Sequence, residues 1–190
     1  MQNNRNNFFA GMFNLPNSIS FFRLLLAVPL LFALSQLNDN NRYIVIGLVL
    51  LAFLTDLMDG YFARKMNQIT EFGKIIDPLA DKTLVILIVT KLYLLGEIPG
   101  IYLLIIVFRD VVIFTGGILL SKKLNKVLPS NLLGKMTVFS IGMYILSILF
   151  GLDPTNFFYR FFFYISVILS FASVIAYALR GYEALKWNNK

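Results

Sequence analysis

Long apolar runs fill this chain and restrict it to a helical membrane fold. A transmembrane helix needs about 20 consecutive, mostly apolar residues. The third of these runs begins near residue 77. Pro78 fits the start of its helix, because a residue in the first turn of a helix needs no hydrogen-bonded N–H. The composition agrees, since 58% of the residues are hydrophobic and 14% are charged, whereas a soluble domain carries about a quarter charged residues. The six runs span residues 19–37, 43–63, 77–95, 98–120, 132–152 and 157–179.

The distribution of Lys and Arg sets the expected orientation, because cytoplasmic loops carry an excess of positive charge. The N-terminus, residues 64–75, residues 121–135 and the C-terminus hold most basic residues, whereas the opposite segments hold Arg42 and Arg160. We therefore expect an all-α integral membrane protein with six transmembrane helices in one bundle. Both termini would be cytoplasmic, and residues 1–190 would form a single domain. The net charge of +7 is explained by loops that meet anionic lipid head groups, so nucleic acid is not an expected partner.

The chain contains no Cys and no His, which narrows its possible chemistry. A thiolate nucleophile, an imidazole base and any Cys- or His-ligated metal are excluded. Proton transfer must therefore use Asp, Glu, Lys, Tyr or water. Any metal site must be built from oxygen ligands, which suit Mg²⁺, Mn²⁺ or Ca²⁺.

Four aspartates lie at helical spacing between two apolar runs. Asp56 and Asp59 are three residues apart, and Asp77 and Asp81 are four apart, so each pair would share a helix face. Each charge inside a bilayer costs about 2.5–3.5 kcal/mol, and converging carboxylates would hold protons unless cations compensate them. One or two divalent ions would relieve this repulsion, as in two-metal centres with ions about 3.5–4 Å apart. The alternative is that the four charges only mark helix ends at the membrane surface.

Small residues beside the aspartates favour a binding site over that alternative. Gly60 follows Asp59 directly, and Gly73 precedes Asp77 by four residues. Glycine inside a helix costs about 1 kcal/mol relative to alanine, so its presence suggests the close approach of a ligand or another helix. Ala63 continues the small face, and Arg64 adds a guanidinium suited to phosphate. Carboxylates, small residues and an arginine together indicate a site for a diphosphate.

This stretch resembles the signature of the CDP-alcohol phosphotransferase family. It reads Asp56-x2-Asp59-Gly60-x2-Ala63-Arg64-x8-Gly73-x3-Asp77-x3-Asp81, with eight fixed positions over 26 residues. The family moves a substituted phosphate from a CDP-linked donor, usually CDP-diacylglycerol, to an alcohol and releases CMP. The resemblance implies two bound Mg²⁺ or Mn²⁺ ions, a cytoplasmic active site in a multi-pass protein of the inner membrane, and a homodimer.

The resemblance also implies a role for each residue of the signature. Asp81 would be the catalytic base that takes the proton of the acceptor hydroxyl. The metal ligands would be Asp56, Asp59, Asp77 and Asp81. The pocket for the CDP donor would be lined by Asn17, Thr55, Gly60, Ala63, Arg64 and Gly73.

The acceptor alcohol is suggested by other parts of the chain. The opening Pro16-Asn17-x2-Ser20-x2-Arg23 and the sequence of residues 76–82 resemble the family branch of phosphatidylglycerophosphate synthases and CMP-forming cardiolipin synthases. This branch uses glycerol-based acceptors. An anion pocket for glycerol 3-phosphate would be formed by Arg109, Lys135, Lys122 and Lys123.

Two acceptors remain open within this branch. Phosphatidylglycerophosphate synthases usually have Arg-Glu where this chain has Arg109-Asp110, and a second arginine where it has Gly116 and Gly117. These differences favour cardiolipin synthesis with phosphatidylglycerol as the acceptor. Synthesis of phosphatidylglycerophosphate from glycerol 3-phosphate is nevertheless the first prediction, because it is the commoner activity of the branch, and cardiolipin synthesis is the alternative. Arg109 and Asp110 could instead be a buried ion pair that only stabilises the bundle.

A divalent-cation transporter is a hypothesis from a different class, because carboxylates within membranes also mark ion pathways. A transporter would have acidic residues spread through the membrane depth. The predicted fifth and sixth helices contain none, and the four aspartates cluster at one end of the second and third. The enzyme is therefore the preferred hypothesis.

Overall fold

A computed structural model describes residues 15–38, 40–65, 73–124 and 132–188 of the protein. Within these ranges the chain forms six α-helices and no strand, which confirms the predicted all-helical fold. Each helix overlaps one of the apolar runs. The helices are α1 (Leu15–Ser35), α2 (Arg42–Lys65), α3 (Gly73–Leu94), α4 (Gly100–Leu124), α5 (Leu132–Leu149) and α6 (Phe157–Asn188).

Most helix ends lie within a few residues of the predicted runs, and two of the differences have a clear physical reason. The helix α3 begins at Gly73, so the placement of Pro78 at its start was wrong, and this proline lies in the second turn. Proline there removes one backbone hydrogen bond, which membrane helices tolerate. The helix α6 continues to Asn188 instead of ending at Leu179, because the loss of hydrophobicity at Arg180 does not itself end a helix.

Three helices are long and apolar enough to cross a membrane, by length and composition: Gly100–Ser121, Leu132–Leu149 and Phe157–Lys186. Shorter apolar helical segments, Phe21–Ser35 and Arg42–Thr55, lie in α1 and α2. The chain is therefore a membrane protein with three candidate spans among the described residues. Six spans with cytoplasmic termini remain a prediction.

The chain divides into two compact units, Met1–Leu95 and Gly96–Lys190. The single domain expected from the sequence stays a prediction. In the first unit α1 packs against both α2 and α3. One face of α1 carries buried side chains at a spacing of about one turn, including Arg23 beside the apolar ones. The apolar core of this unit consists of Leu26, Ala27, Leu30, Leu34, Val45, Ile46, Ala52, Leu84, Ile88, Val89 and Leu92.

In the second unit α4 and α6 run parallel. The hydroxyl groups of Tyr102 and Ser166 are 2.9 Å apart, and Arg109 Nε donates to Ser173 Oγ at 3.2 Å. The residues of each pair are 64 positions apart in the chain. Arg109 and Ser173 each lie seven residues after Tyr102 and Ser166, so the separation of 64 residues is the same for both pairs. The two helices therefore run in the same direction.

The helix α5 runs antiparallel to α6. Thr137 Oγ1 donates to the carbonyl oxygen of Leu169 at 3.1 Å, and the hydroxyl groups of Tyr144 and Tyr159 lie 3.0 Å apart. The later residue of α5 thus meets the earlier residue of α6. The start of α5 therefore lies at the level of the middle of α6.

A tight connection holds α5 and α6 in this arrangement. Gly151 has φ 66°, and the N–H of Leu152 donates to the carbonyl oxygen of Ser147 at 3.0 Å. This is the Schellman pattern that ends a helix, and it favours glycine because other residues rarely adopt that backbone conformation. Asn156 then caps α6 by accepting a hydrogen bond from the N–H of Phe158 at 2.9 Å.

Glycines allow the later halves of α4 and α6 to approach closely. A methyl group added at Gly117 would lie 3.0 Å from Tyr177 Oη, whereas one at Gly116 would lie 3.5 Å from Tyr177 Cε1. A methyl group at Gly181 would lie 2.6 Å from Leu120 Cδ1. The Tyr177 ring thus packs over the glycine pair of α4.

We expect Gly117→Ala to give a lower unfolding temperature than Gly116→Ala. Each change gains up to about 1 kcal/mol of helix propensity, but only the alanine at position 117 presses on the Tyr177 hydroxyl. Adding Tyr177→Phe should restore the stability of Gly117→Ala by removing that hydroxyl. Thermal unfolding of the purified variants in detergent is the measurement, and equal midpoints for the two alanine variants would contradict this packing.

Candidate active site

The four signature aspartates lie on two helices that flank the segment 66–72. Asp56 and Asp59 occupy the later part of α2, and Asp77 and Asp81 occupy the first turns of α3. The backbone is helical through all four positions, so the spacing places each pair one turn apart, as predicted. Their side chains lie outside the described part of the structure. Elsewhere, the described side chains form no group of three or more potential acidic ligands.

The predicted donor-binding residues lie mainly on the same two helices. Thr55 is buried, and its hydroxyl donates to the carbonyl oxygen of Ala52 at 2.7 Å. This bond leaves the lone pairs of the hydroxyl oxygen able to accept another hydrogen bond. The remaining donor-binding predictions have helical backbones and side chains outside the described part, and they are Asn17, Gly60, Ala63, Arg64 and Gly73.

Arg109 lies where the three helices of the second unit meet. The residue is 8% exposed. Its Nε donates to Ser173 Oγ of α6 at 3.2 Å, and one terminal nitrogen donates to the carbonyl oxygen of Gly134 of α5 at 3.5 Å. The other terminal nitrogen forms an ion pair with the carboxylate of Asp110. The ion pair of Arg109 and Asp110, which the sequence analysis gave as an alternative, is therefore present. It belongs to a larger hydrogen-bonded cluster.

The other predicted acceptor residues differ in their relation to Arg109. Lys135 is exposed and directly follows Gly134, whose carbonyl contacts the guanidinium. Lys122 and Lys123 lie near the end of α4, with side chains outside the described part. At 1.5 Å per residue, their backbone lies about 20 Å further along the helix than that of Arg109. The structure therefore brings Arg109 and the start of α5 together, whereas the backbone of Lys122 and Lys123 lies distant from Arg109 along α4.

Sequence reasoning missed Ser173 as a partner of Arg109. A signal existed, because Ser166, Ser170 and Ser173 recur at helical spacing within an otherwise apolar run. All three are buried on α6. Buried serines in a membrane helix indicate a contact with a neighbouring helix, but their spacing does not identify the partner.

A sequence profile of the CDP-alcohol phosphatidyltransferases matches residues 13–176. The chain belongs to this family. Membership confirms the resemblance on which the signature residues were assigned, and it identifies the chain as an enzyme of the phosphatidyltransferase class. The match covers both aspartate pairs and the Arg109 cluster.

Several family relatives align with this phosphatidyltransferase over most of their length. A protein of Aquifex aeolicus named CDP-diacylglycerol--glycerol-3-phosphate 3-phosphatidyltransferase is 32% identical, with 90% of this chain and 98% of the relative covered. A protein of the same name from Bacillus subtilis is 30% identical, with coverage of 94% and 100%. Another from Rickettsia typhi is 36% identical, with coverage of 73% and 76%.

Paired replacements at Arg109 and Asp110 should separate a structural role from a functional one. Asp110→Ala leaves a buried cation without its carboxylate, and breaking such a pair costs up to about 3–5 kcal/mol. Arg109→Met combined with Asp110→Leu removes both charges, so we expect it to recover most of the lost stability. Thermal unfolding in detergent measures this difference.

Activity then distinguishes the two roles. If Arg109 binds substrate, the stable double variant should remain inactive. A double variant that is both stable and fully active would show that the pair only holds the helices together.

Proposed function

We propose that this protein transfers the phosphatidyl group of CDP-diacylglycerol to glycerol 3-phosphate, forming phosphatidylglycerophosphate and releasing CMP. The observation that carries the proposal is the likeness to relatives of that name at 30–36% identity, two of them covered almost completely. The complete family signature between Asp56 and Asp81 supports the same reaction.

The donor half of the reaction is assigned to α2 and α3. Asp56, Asp59, Asp77 and Asp81 would hold divalent metal, which the family generally uses. These metal ligands fit Mg²⁺ or Mn²⁺, because the chain offers carboxylates and has no His or Cys. Two bound ions would supply positive charge that neutralises the diphosphate and stabilises the departing CMP.

The other residues of this half bind and orient the donor. Arg64 carries a guanidinium that pairs with a diphosphate oxygen, since its planar fork matches phosphate geometry. Gly60, Ala63 and Gly73 keep the helix surfaces small enough for the nucleotide to approach. The hydroxyl hydrogen of Thr55 is already donated to Ala52, so its oxygen would accept a hydrogen bond from CDP-diacylglycerol. Asn17 of α1 would also line the pocket for this substrate.

The acceptor half is assigned to Arg109 and Lys135, which bind the phosphate of glycerol 3-phosphate. Asp81 takes the proton from an acceptor hydroxyl as that oxygen attacks the phosphorus next to diacylglycerol. The bond from this phosphorus to the CMP oxygen breaks, and the electron pair leaves with CMP. A carboxylate suits this role in a chain without histidine. Lys122 and Lys123 would attract the anionic acceptor to the membrane surface.

The reaction needs a site at a membrane face. The acyl chains of the donor stay in lipid, whereas glycerol 3-phosphate and CMP are water-soluble. The excess of Lys and Arg beside the signature supports a cytoplasmic location for this face. We propose the inner membrane as the location and a homodimer as the working form.

Purified protein in detergent should release CMP from CDP-diacylglycerol when glycerol 3-phosphate is added. Separate incubations with phosphatidylglycerol, inositol phosphate and serine test other acceptors, and chromatography of the lipid products identifies the new lipid. We expect phosphatidylglycerophosphate from the first incubation and little product from the others.

The metal provides an internal control, since a chelator should stop the reaction and Mg²⁺ or Mn²⁺ should restore it. Product from phosphatidylglycerol alone would favour cardiolipin synthesis, to which Asp110 and the glycines Gly116 and Gly117 point. Product from serine alone would refute the glycerol-acceptor assignment.

Asp81→Asn should abolish transfer while leaving folding and CDP binding largely intact. The amide keeps the shape of the side chain but does not take up a proton. Asp153→Asn is the matched control, because Asp153 lies in the connection between α5 and α6, where its carboxylate accepts hydrogen bonds from Thr155 that hold its pKa below the usual range. Turnover and CDP binding are the measurements, and near-normal turnover of Asp81→Asn would remove this residue as the base.

A further inference from the structure

Three of the five N–H groups of Arg109 are already engaged within the protein. Nε donates to Ser173, one terminal nitrogen donates to Asp110, and the other donates to the carbonyl oxygen of Gly134. A guanidinium has five N–H donors in a fixed plane. Among the residues that the structure describes, one hydrogen on each terminal nitrogen therefore has no partner, and these two hydrogens can bind an anion.

The bond at Nε helps to fix the plane in which those two hydrogens lie, together with the bonds of the terminal nitrogens. Nε joins the rigid guanidinium to the flexible aliphatic part of the side chain, and its single N–H lies in the guanidinium plane. Ser173 is 1% exposed, and its hydroxyl donates to the carbonyl oxygen of Ser170 at 2.9 Å. The hydrogen of this hydroxyl is thus directed to its own helix, and the oxygen is left as an acceptor for Arg109.

The packing of α4 against α6 has a second hydrogen bond that does not involve Ser173. Tyr102 and Ser166 bond one heptad earlier, at 2.9 Å and with the same chain offset. The register of the two helices therefore has support apart from Ser173. The effect of Ser173 on the direction of the guanidinium can be measured separately from its effect on helix packing.

We propose that Ser173 is a positioning residue that orients the Arg109 guanidinium toward the phosphate of glycerol 3-phosphate. This inference rests on the proposed function, because it takes Arg109 as the ligand of that phosphate. Ser173 does not contact the substrate. It lowers the entropy cost of acceptor binding by holding the guanidinium in its binding orientation before the acceptor arrives.

The test is steady-state kinetics of Ser173→Ala in detergent, with CDP-diacylglycerol and glycerol 3-phosphate varied in turn. We expect the KM for glycerol 3-phosphate to rise about five- to tenfold, the size of effect given by one lost hydrogen bond. The kcat and the KM for CDP-diacylglycerol should change by less than about twofold. Equilibrium binding of glycerol 3-phosphate, measured by calorimetry, should weaken by the same factor. Ser173→Thr keeps a hydroxyl and should restore most of the affinity.

Two buried serines of the same helix serve as matched controls. Within the described residues, the hydroxyl of Ser170 donates to the carbonyl oxygen of Ser166 and has no contact with Arg109, so Ser170→Ala removes a hydroxyl without a direct effect on the guanidinium. Ser166→Ala removes the other hydrogen bond between α4 and α6. Both control variants should keep the wild-type KM for glycerol 3-phosphate. Arg109→Gln is the reference for complete loss of the ligand.

The outcomes separate the positioning role of Ser173 from the proposed reaction with glycerol 3-phosphate. If Arg109→Gln raises the KM for glycerol 3-phosphate and Ser173→Ala does not, Ser173 has no positioning role, and the proposed function stands. If Ser166→Ala raises this KM as much as Ser173→Ala does, helix packing is responsible and the inference fails. A wild-type protein that makes no lipid from glycerol 3-phosphate overturns both the positioning role of Ser173 and the proposed function.

Discussion

The second unit of the molecule is built around a buried cation in an apolar environment. A guanidinium removed from water is costly unless each side of it is compensated. Arg109 is compensated by a carboxylate of its own helix, a backbone carbonyl of α5 and a serine hydroxyl of α6. Because each helix of the unit supplies one partner, the cation fixes the level at which the three helices meet. These contacts hold the helices together, and among the described residues they engage three of the five N–H groups of the guanidinium, so two N–H groups could bind a phosphate.

Chemical roles divide between the two halves of the sequence. The half that contains α2 and α3 carries the acidic signature, whose carboxylates suit divalent metal and proton transfer. The half that contains α4, α5 and α6 carries a preorganised cation, which suits binding of an anionic acceptor. This division explains why the family assignment and the acceptor assignment rest on different residues. The family match includes the segment from Asp56 to Asp81, whereas the proposed binding of the acceptor alcohol rests on Arg109.

The features predicted correctly from the sequence were those carried by local patterns. Hydrophobic runs located all six helices, and the spacing of the aspartates agreed with their helical backbone. Features that depend on distant residues were missed, because an apolar run specifies a helix and not its neighbours. Ser173 and Arg109 are 64 residues apart in the chain, and the contact of Gly117 with Tyr177 likewise requires two helices to be placed together. Pro78 was misplaced because a membrane helix also tolerates proline in its second turn, where proline removes one backbone hydrogen bond.

The measurement that tests the proposed reaction most directly is the transfer of isotopic label from glycerol 3-phosphate into lipid. Purified protein would be incubated with CDP-diacylglycerol, Mg²⁺ and glycerol 3-phosphate carrying carbon-13 in the glycerol. We expect mass spectrometry to find the label in phosphatidylglycerophosphate, with one CMP released for each labelled lipid. Release of CMP without label in the lipid, or labelled lipid without CMP, would contradict transfer of the phosphatidyl group to glycerol 3-phosphate.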